Sequence, residues 1–322
     1  MDKIQRTVFG IFVVLSVFTQ HGCVTVNLLE PPGPVQEVQL SGSGDSKVLL
    51  LDLSGVISSQ DKEGWLPQPN LLATFKEELT KASKDEKVKA VVLRINSPGG
   101  TVNASDILYH ELKTFKENRK IPVIASMMDV AASGGYYLAM ATDAILVHPS
   151  TVTGSIGVIM LTVNAKGLLE KVGVEANAIT SGPRKDMGSP FRSMTTDEKE
   201  IFQGVIDSFY QRFLTVVQAG RPQLSAEQIK KLADGRIYSG DQAKAAGLVD
   251  DIGYLDEAID LAKKNANLKE ARVVTYRRHG EYQNNIYSRV FGSGNGLSSL
   301  ASMDLLSIVR GGSPQFMYLW MP

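Results

Sequence analysis

From Lys47 onward, short apolar runs alternate with amphipathic stretches. Val48 to Leu53 is apolar at every position but Asp52. A run without polar alternation predicts a strand covered on both faces. From Asn70 to Lys84 the period changes. Leu71, Leu72, Phe75, Leu79 and Ala82 recur at helical spacing, which predicts an amphipathic helix. Ala90 to Ile95 is a β-branched strand, Asn96-Ser97-Pro98-Gly99-Gly100 a turn, and Val102 to Glu117 the next helix. Pro122 to Met127 and Ala144 to Val147 read as strands, and Val158 to Val163 and Ala176 to Thr180 as extended. Strands alternating with helices predict an α/β fold of βαβ units with right-handed crossovers. A long helix follows from Thr196 to Ala219, with Thr195 and Glu198 at capping spacing and Ile201, Val205, Phe209 and Phe213 on one side. Arg272 to Tyr276 is expected to be the last strand. Beyond His279 the chain is polar and irregular until an apolar patch, Phe316 to Met321, which is either flexible or docked on a neighbouring subunit.

Upstream of Lys47 the pattern is of another kind. Lys3 and Arg6 precede the apolar run Val8 to Phe18, and Gly22-Cys23 follow. This is the layout of a secretory signal. The run is shorter than the roughly 20 residues that cross a bilayer comfortably. Residues 1–22 are therefore expected to be a signal peptide. Residues 23–46, with Pro31, Pro32 and Pro34, read as a spacer, residues 47–278 as a single folded domain, and residues 279–322 as a tail. The small residue before Cys23 resembles a bacterial lipoprotein signal, although Gln20 stands where such signals carry leucine. Lipidation, cleavage without lipid and an uncleaved anchor all fit. Each exports the body to a bacterial cell envelope, and the lipid or the anchor would hold it at the membrane, which is the expected location. Cys23 is the only cysteine, so no intrachain disulfide forms, and 34 basic against 34 acidic residues give no reason to expect a nucleic-acid partner.

The chemistry-bearing residues sit in turns. Ser133 lies in Ala131-Ala132-Ser133-Gly134-Gly135-Tyr136-Tyr137, between a strand and a short apolar helix. Backbone N–H groups at such a junction favour a developing negative charge. The plain alternative is a serine that only caps the helix. Pro98-Gly99-Gly100 ends another strand with amides that no side chain screens, and Thr153-Gly154-Ser155-Ile156-Gly157-Val158 is a second glycine-rich turn. Lys185, in Ser181-Gly182-Pro183-Arg184-Lys185-Asp186, could serve as a base if held neutral, although a loop lysine is ordinarily just solvated. Of the four histidines, His21 is in the leader, His110 is mid-helix and His279 lies past the core. His148, beside Pro149, is expected to pack at a strand end.

Taken together, these blocks resemble the signal peptide peptidase A family, the bacterial protease IV group. They comprise Asp52-Leu53-Ser54-Gly55-Val56-Ile57, Arg94 to Gly100, Ala132 to Tyr137, Thr153 to Val158, Ser181 to Asp186 with Ser189-Pro190, and Asp234 to Gly240, all in family order. The resemblance implies a ClpP/crotonase-like stacked βαβ superhelix in its short, single-domain form. It implies Ser133 as nucleophile, Lys185 as general base, Ser155 as the hydroxyl that orients the lysine, and Gly100 and Gly134 as oxyanion donors. It further implies peptide substrates, namely released signal peptides at the membrane, and a ring-like homo-oligomer with inward-facing sites. No cofactor or metal is implied. The same fold carries acyl-CoA hydratases and thioesterases, and a non-catalytic, membrane-attached peptide-binding scaffold is the other alternative. If the lysine is the base, Asp186 must point away from it.

Overall fold

The computed structural model describes residues 33–60, 70–278, 285–288 and 315–321. In chain order it forms β1 (Gln36–Ser41), β2 (Lys47–Ser54), α1 (Leu71–Lys84), β3 (Val88–Ser97), β4 (Gly99–Thr101), α2 (Val102–Arg119) and β5 (Val123–Ala132). Then come α3 (Gly134–Ala139), β6 (Ala144–Val147), β7 (Val152–Gly154), β8 (Ile159–Met160), α4 (Lys166–Lys171), α5 (Thr196–Gly220) and α6 (Ala226–Leu232). β9 (Ile237–Ser239), α7 (Gly240–Ala245), β10 (Asp251–Ile252), α8 (Leu255–Asn265), β11 (Arg272–Arg277) and β12 (Phe316–Leu319) complete it.

The main sheet runs β1-β11-β2-β3-β5-β6-β10, and β7 and β9 extend it from β5. β2, β3, β5 and β6 pair in parallel. Because side chains alternate across a strand, the apolar runs feed two cores. Leu49, Leu51, Leu53, Val91, Leu93 and Ile95 pack with Phe75 and Leu79 of α1 and Phe213 of α5. Val48, Leu50, Ala90, Val92 and Ile124 pack on the opposite face against Leu255, Ala258, Ile259 and Ala262 of α8. The sequence reading did not anticipate α8, although its buried positions recur at helical spacing. Asp52, the polar break in β2, is 8% exposed and is held by two arginines. Arg94 Nε donates to its Oδ1 at 2.5 Å and Arg277 Nη2 to its Oδ2 at 2.7 Å. A buried carboxylate needs such pairing, and this one ties β2, β3 and β11 together.

Two boundaries differ from expectation. The folded body does not begin at Lys47. β1, inside the expected spacer, pairs antiparallel with β11 from Gln36↔Arg277 to Ser41↔Val273. Nor does it end at 278, because β12 joins β4 and β8 in a second, three-stranded sheet. The apolar patch is thus docked on its own chain. Of the two later extended stretches, Val158 to Val163 contracts to β8, and Ala176 to Thr180 forms no strand and is exposed. The leader and Cys23 lie outside the described residues. Among the described residues no helix is long and apolar enough to cross a membrane.

Candidate active site

Ligand sites of parallel sheets gather beyond the carboxyl ends of the strands. Here β3 ends at Ser97 and β5 at Ala132, and the candidate residues follow directly. Ser133 is 1% exposed and sits at φ 51, ψ −113, a backbone conformation that side chains strongly disfavour. Such strain costs on the order of 1–3 kcal/mol and persists only where the surroundings impose it. They do so from both sides. The Ser133 N–H donates to the Gly154 carbonyl at 2.7 Å, and the Tyr137 N–H donates to the Ser133 carbonyl at 2.8 Å. The hydroxyl does not cap α3, and among the described residues its buried oxygen has no hydrogen-bond partner. The bland capping role therefore fails. A buried polar atom left free is costly, and a nucleophile awaiting substrate is one reason to keep it so.

Ser155 lies alongside. Ala132 and Gly154 are register partners across β5 and β7, so Ser133 and Ser155 are the next residues on each chain. Ser155 too has positive φ, 48°, and is 8% exposed. The glycines close the other side. A β-carbon on Gly99 would stand 2.7 Å from Gly134 N, and one on Gly134 would stand 2.4 Å from Ser105 Oγ. Gly100 is oriented by Ile57. The Ile57 N–H donates to the Gly99 carbonyl, and the Thr101 N–H donates to the Ile57 carbonyl. Successive peptide units alternate in an extended strand. The Gly100 N–H therefore faces the opposite side, into the groove between β4 and β8. Ser133, Ser155, Gly100 and Gly134 are thus brought together.

Lys185 is not brought to them. It is exposed, in the loop before α5, and lines a surface pocket with Arg184, Arg192, Asp197 and Glu198. Its neighbours are engaged elsewhere. Arg192 clasps Asp186 through Nε and Nη2, at 2.7 and 2.8 Å, and also reaches Glu198. Arg184 pairs with Asp197. The Arg192 guanidinium holds the Glu198 carboxyl down to about 2, helped by the Thr195 N–H. His148 is engaged elsewhere: its ring meets the Tyr254 ring edge-on at 4.7 Å and bonds Ser150 Oγ. Among the described residues no group of three or more His, Cys, Asp or Glu is placed to hold a metal ion.

Sequence reasoning missed the aromatic wall beside Ser133. Tyr137 packs against Tyr109 at 5.3 Å and Phe213 at 5.0 Å between ring centroids. Its hydroxyl donates to Asp106, which Arg212 also holds at 2.9 Å. Burial pushes the Tyr137 phenol up, the Asp106 carboxylate adds to this, and the group stays protonated. Tyr137 follows Ser133 closely in the sequence, but nothing in the pattern of α5, which supplies Phe213, marks it as facing the site.

The model of the family described as Peptidase family S49 matches residues 115–269, which hold Ser133, Ser155 and Lys185. The chain is 38% identical over 243 residues to "Putative signal peptide peptidase SppA" of Enterococcus faecium, covering 75% of this chain and 70% of that one. The chain belongs to peptidase family S49. It shares 38% identity over 204 residues with "Protease 4" of Salmonella typhi, 63% of this chain but 32% of that one. The S49 assignment makes the chain a protease of the signal peptide peptidase A type. The Clp protease model also matches, over residues 70–153. With the parallel sheet it establishes the ClpP-like α/β fold.

Proposed function

We propose that this S49 chain is a serine endopeptidase with a Ser133–Lys185 dyad, acting on released signal peptides at the envelope membrane. One observation carries the reading: a strained, buried serine whose hydroxyl has no partner among the described residues, set between glycine amides. Ser133 Oγ attacks the peptide carbonyl while Lys185 Nζ accepts its proton. The Gly100 and Gly134 N–H groups hold the oxyanion, each such donor typically worth about 3–4 kcal/mol. Lys185 returns the proton to the leaving amine, the acyl-enzyme forms, and water activated by the lysine releases the acid. Ser155 holds the amine in place.

A lysine in water, with a pKa near 10.4, is protonated and cannot act as a base. Burial lowers it, so the mechanism requires that the exposed loop be covered. The stretch around it carries Leu168, Val172, Val174, Ile179 and Phe191, all exposed. Apolar side chains clustered in this way mark an interaction surface. In a homo-oligomer a second copy covers this stretch and brings the amine to a serine. The test is labelling by a fluorophosphonate together with hydrolysis of a quenched signal-peptide substrate. Both are expected to vanish in Ser133→Ala, and hydrolysis to vanish in Lys185→Ala with the fold intact. Hydrolysis retained by Lys185→Ala would remove the lysine from the mechanism. Absence of labelling in the native chain would favour a binding scaffold.

A further inference from the structure

Asp234 to Gly240 supplies no reacting group, yet it runs along the site. Its strand, β9, pairs antiparallel with β7 through Gly154↔Ile237, Thr153↔Tyr238 and Val152↔Ser239. Tyr238 anchors this pairing: it is buried, and its hydroxyl donates to the Leu232 carbonyl at 2.8 Å. Arg236 stands one residue outside β9, at the end of the ladder. There the Ser155 N–H donates to the Arg236 carbonyl at 2.8 Å. The carbonyl of the same Gly154–Ser155 peptide unit accepts the Ser133 N–H at 2.7 Å. A peptide unit is planar and rigid. One plane therefore joins both positive-φ serines to Arg236, and whatever fixes the Arg236 carbonyl fixes that plane.

The carbonyl is fixed by a turn. The Arg236 N–H donates to Asp234 Oδ1 at 3.1 Å, a side-chain bond that closes an Asx turn. Gly235, between them, has φ 89°. The Arg236 side chain folds back on the same carboxylate, with Nε donating to Oδ1 at 2.8 Å and to Oδ2 at 2.9 Å. The guanidinium, together with the Arg236 N–H, holds the Asp234 carboxyl down to about 2, so the acceptor is ionised throughout the neutral range. Stability does not account for this arrangement. The Arg236 and Asp234 side chains are 63% and 44% exposed, and exposed ion pairs contribute little. The turn faces the site instead. Gly235 and Ser155 line one cavity of about 250 Å³, and a β-carbon on Gly157 would stand 3.7 Å from Gly235 Cα.

We propose that Asp234 is a positioning residue for hydrolysis: its turn aims the Arg236 carbonyl, which holds the Gly154–Ser155 peptide and so seats the hydroxyls of Ser133 and Ser155 for proton transfer. The inference rests on the peptidase reading above for what the hydroxyls do, but its own content is how they are held. Asp234 touches no substrate and moves no proton. It acts by orientation, and misplacing a reacting group by about 1 Å can cost on the order of a hundredfold in rate.

The test compares Asp234→Ala, Asp234→Asn and Gly235→Ala with the native chain. Alanine at 234 removes the acceptor, whereas asparagine keeps an oxygen for the Arg236 N–H. Alanine at 235 meets no atom within 4 Å but disfavours the positive φ. In both alanine variants kcat for a quenched peptide is expected to fall at least about tenfold with KM within about twofold, the mark of an interaction made in the transition state. Asp234→Asn should hold kcat within about threefold of native, because its side chain closes the same turn. Hydrogen exchange read at single amides should accelerate at Ser133 and Ser155 in the alanine variants while the Tm stays close to native. Unchanged exchange at these two amides would overturn the inference. So would faster exchange with native kcat, or a loss of kcat that asparagine does not restore. A native chain that hydrolyses nothing, with exchange still governed by Asp234, would instead overturn the peptidase reading alone.

Discussion

At Ser133 the conformation that serves chemistry works against stability. Glycine tolerates positive φ without a side-chain penalty, at the cost of a more flexible unfolded chain. Ser133→Gly should therefore raise stability by about 1 kcal/mol, a shift of about 2–4 °C in Tm for a domain of this size, while abolishing fluorophosphonate labelling. Thermal unfolding followed by circular dichroism measures it, and a lowered Tm would show that the backbone there is not strained. Gly100 is constrained in the opposite sense. A β-carbon there would stand 1.9 Å from the Ile57 carbonyl oxygen and 2.6 Å from its nitrogen, both main-chain atoms. Gly100→Ala should cost about 3 kcal/mol in denaturant unfolding and lose labelling as well. These residues were legible in the sequence because glycine beside serine at the end of an apolar strand leaves few uses for the backbone. Lys185 was not legible to the same degree, since an exposed loop side chain leaves no mark of where it will act.

Among the elements, the start of α5 carries a pH-sensitive joint. Thr195 and Glu198 form a capping box, and Arg192 bridges Glu198 to Asp186 in the loop that bears Lys185. The Glu198 carboxyl titrates at about 2, below its ordinary 4.5. Its contribution is therefore complete above pH 4.5 and fades as the pH falls towards 2. Hydrogen exchange in residues 181–200 should accelerate across that window while the sheet stays protected. In Arg192→Ala the acceleration should begin near pH 4.5; an unchanged onset would remove the guanidinium as the cause. The capping pair was readable from Thr195 and Glu198 alone. By contrast, β12 was readable only as an apolar patch. Phe316 to Leu319 shows no polar alternation, and its partners, β4 and β8, span only three and two residues. Strand pairing of that length is set by tertiary contacts, not by local pattern.

For the whole molecule, the parallel core followed from the alternation of apolar runs and helices, whereas the exposed stretch from Lys166 to Phe191 did not. Its side chains find too little to pack against within one chain, as Ile179 and Leu168 show. Replacing both by aspartate should shift the mass seen by light scattering towards the monomer and lower hydrolysis in parallel. A mixture of Ser133→Ala and Lys185→Ala chains should regain hydrolysis that neither has alone, if the amine crosses between copies. Failure to regain it, with assembly intact, would place serine and lysine of one chain together.

The pairing of β1 with β11 bears on reach. The sheet claims the chain from Gln36, thirteen positions after Cys23. A fully extended segment of that length spans roughly 45 Å at most. A lipid on Cys23 would therefore act as a short leash, keeping the catalytic body within about its own diameter of the bilayer surface and confining its prey to peptides emerging there.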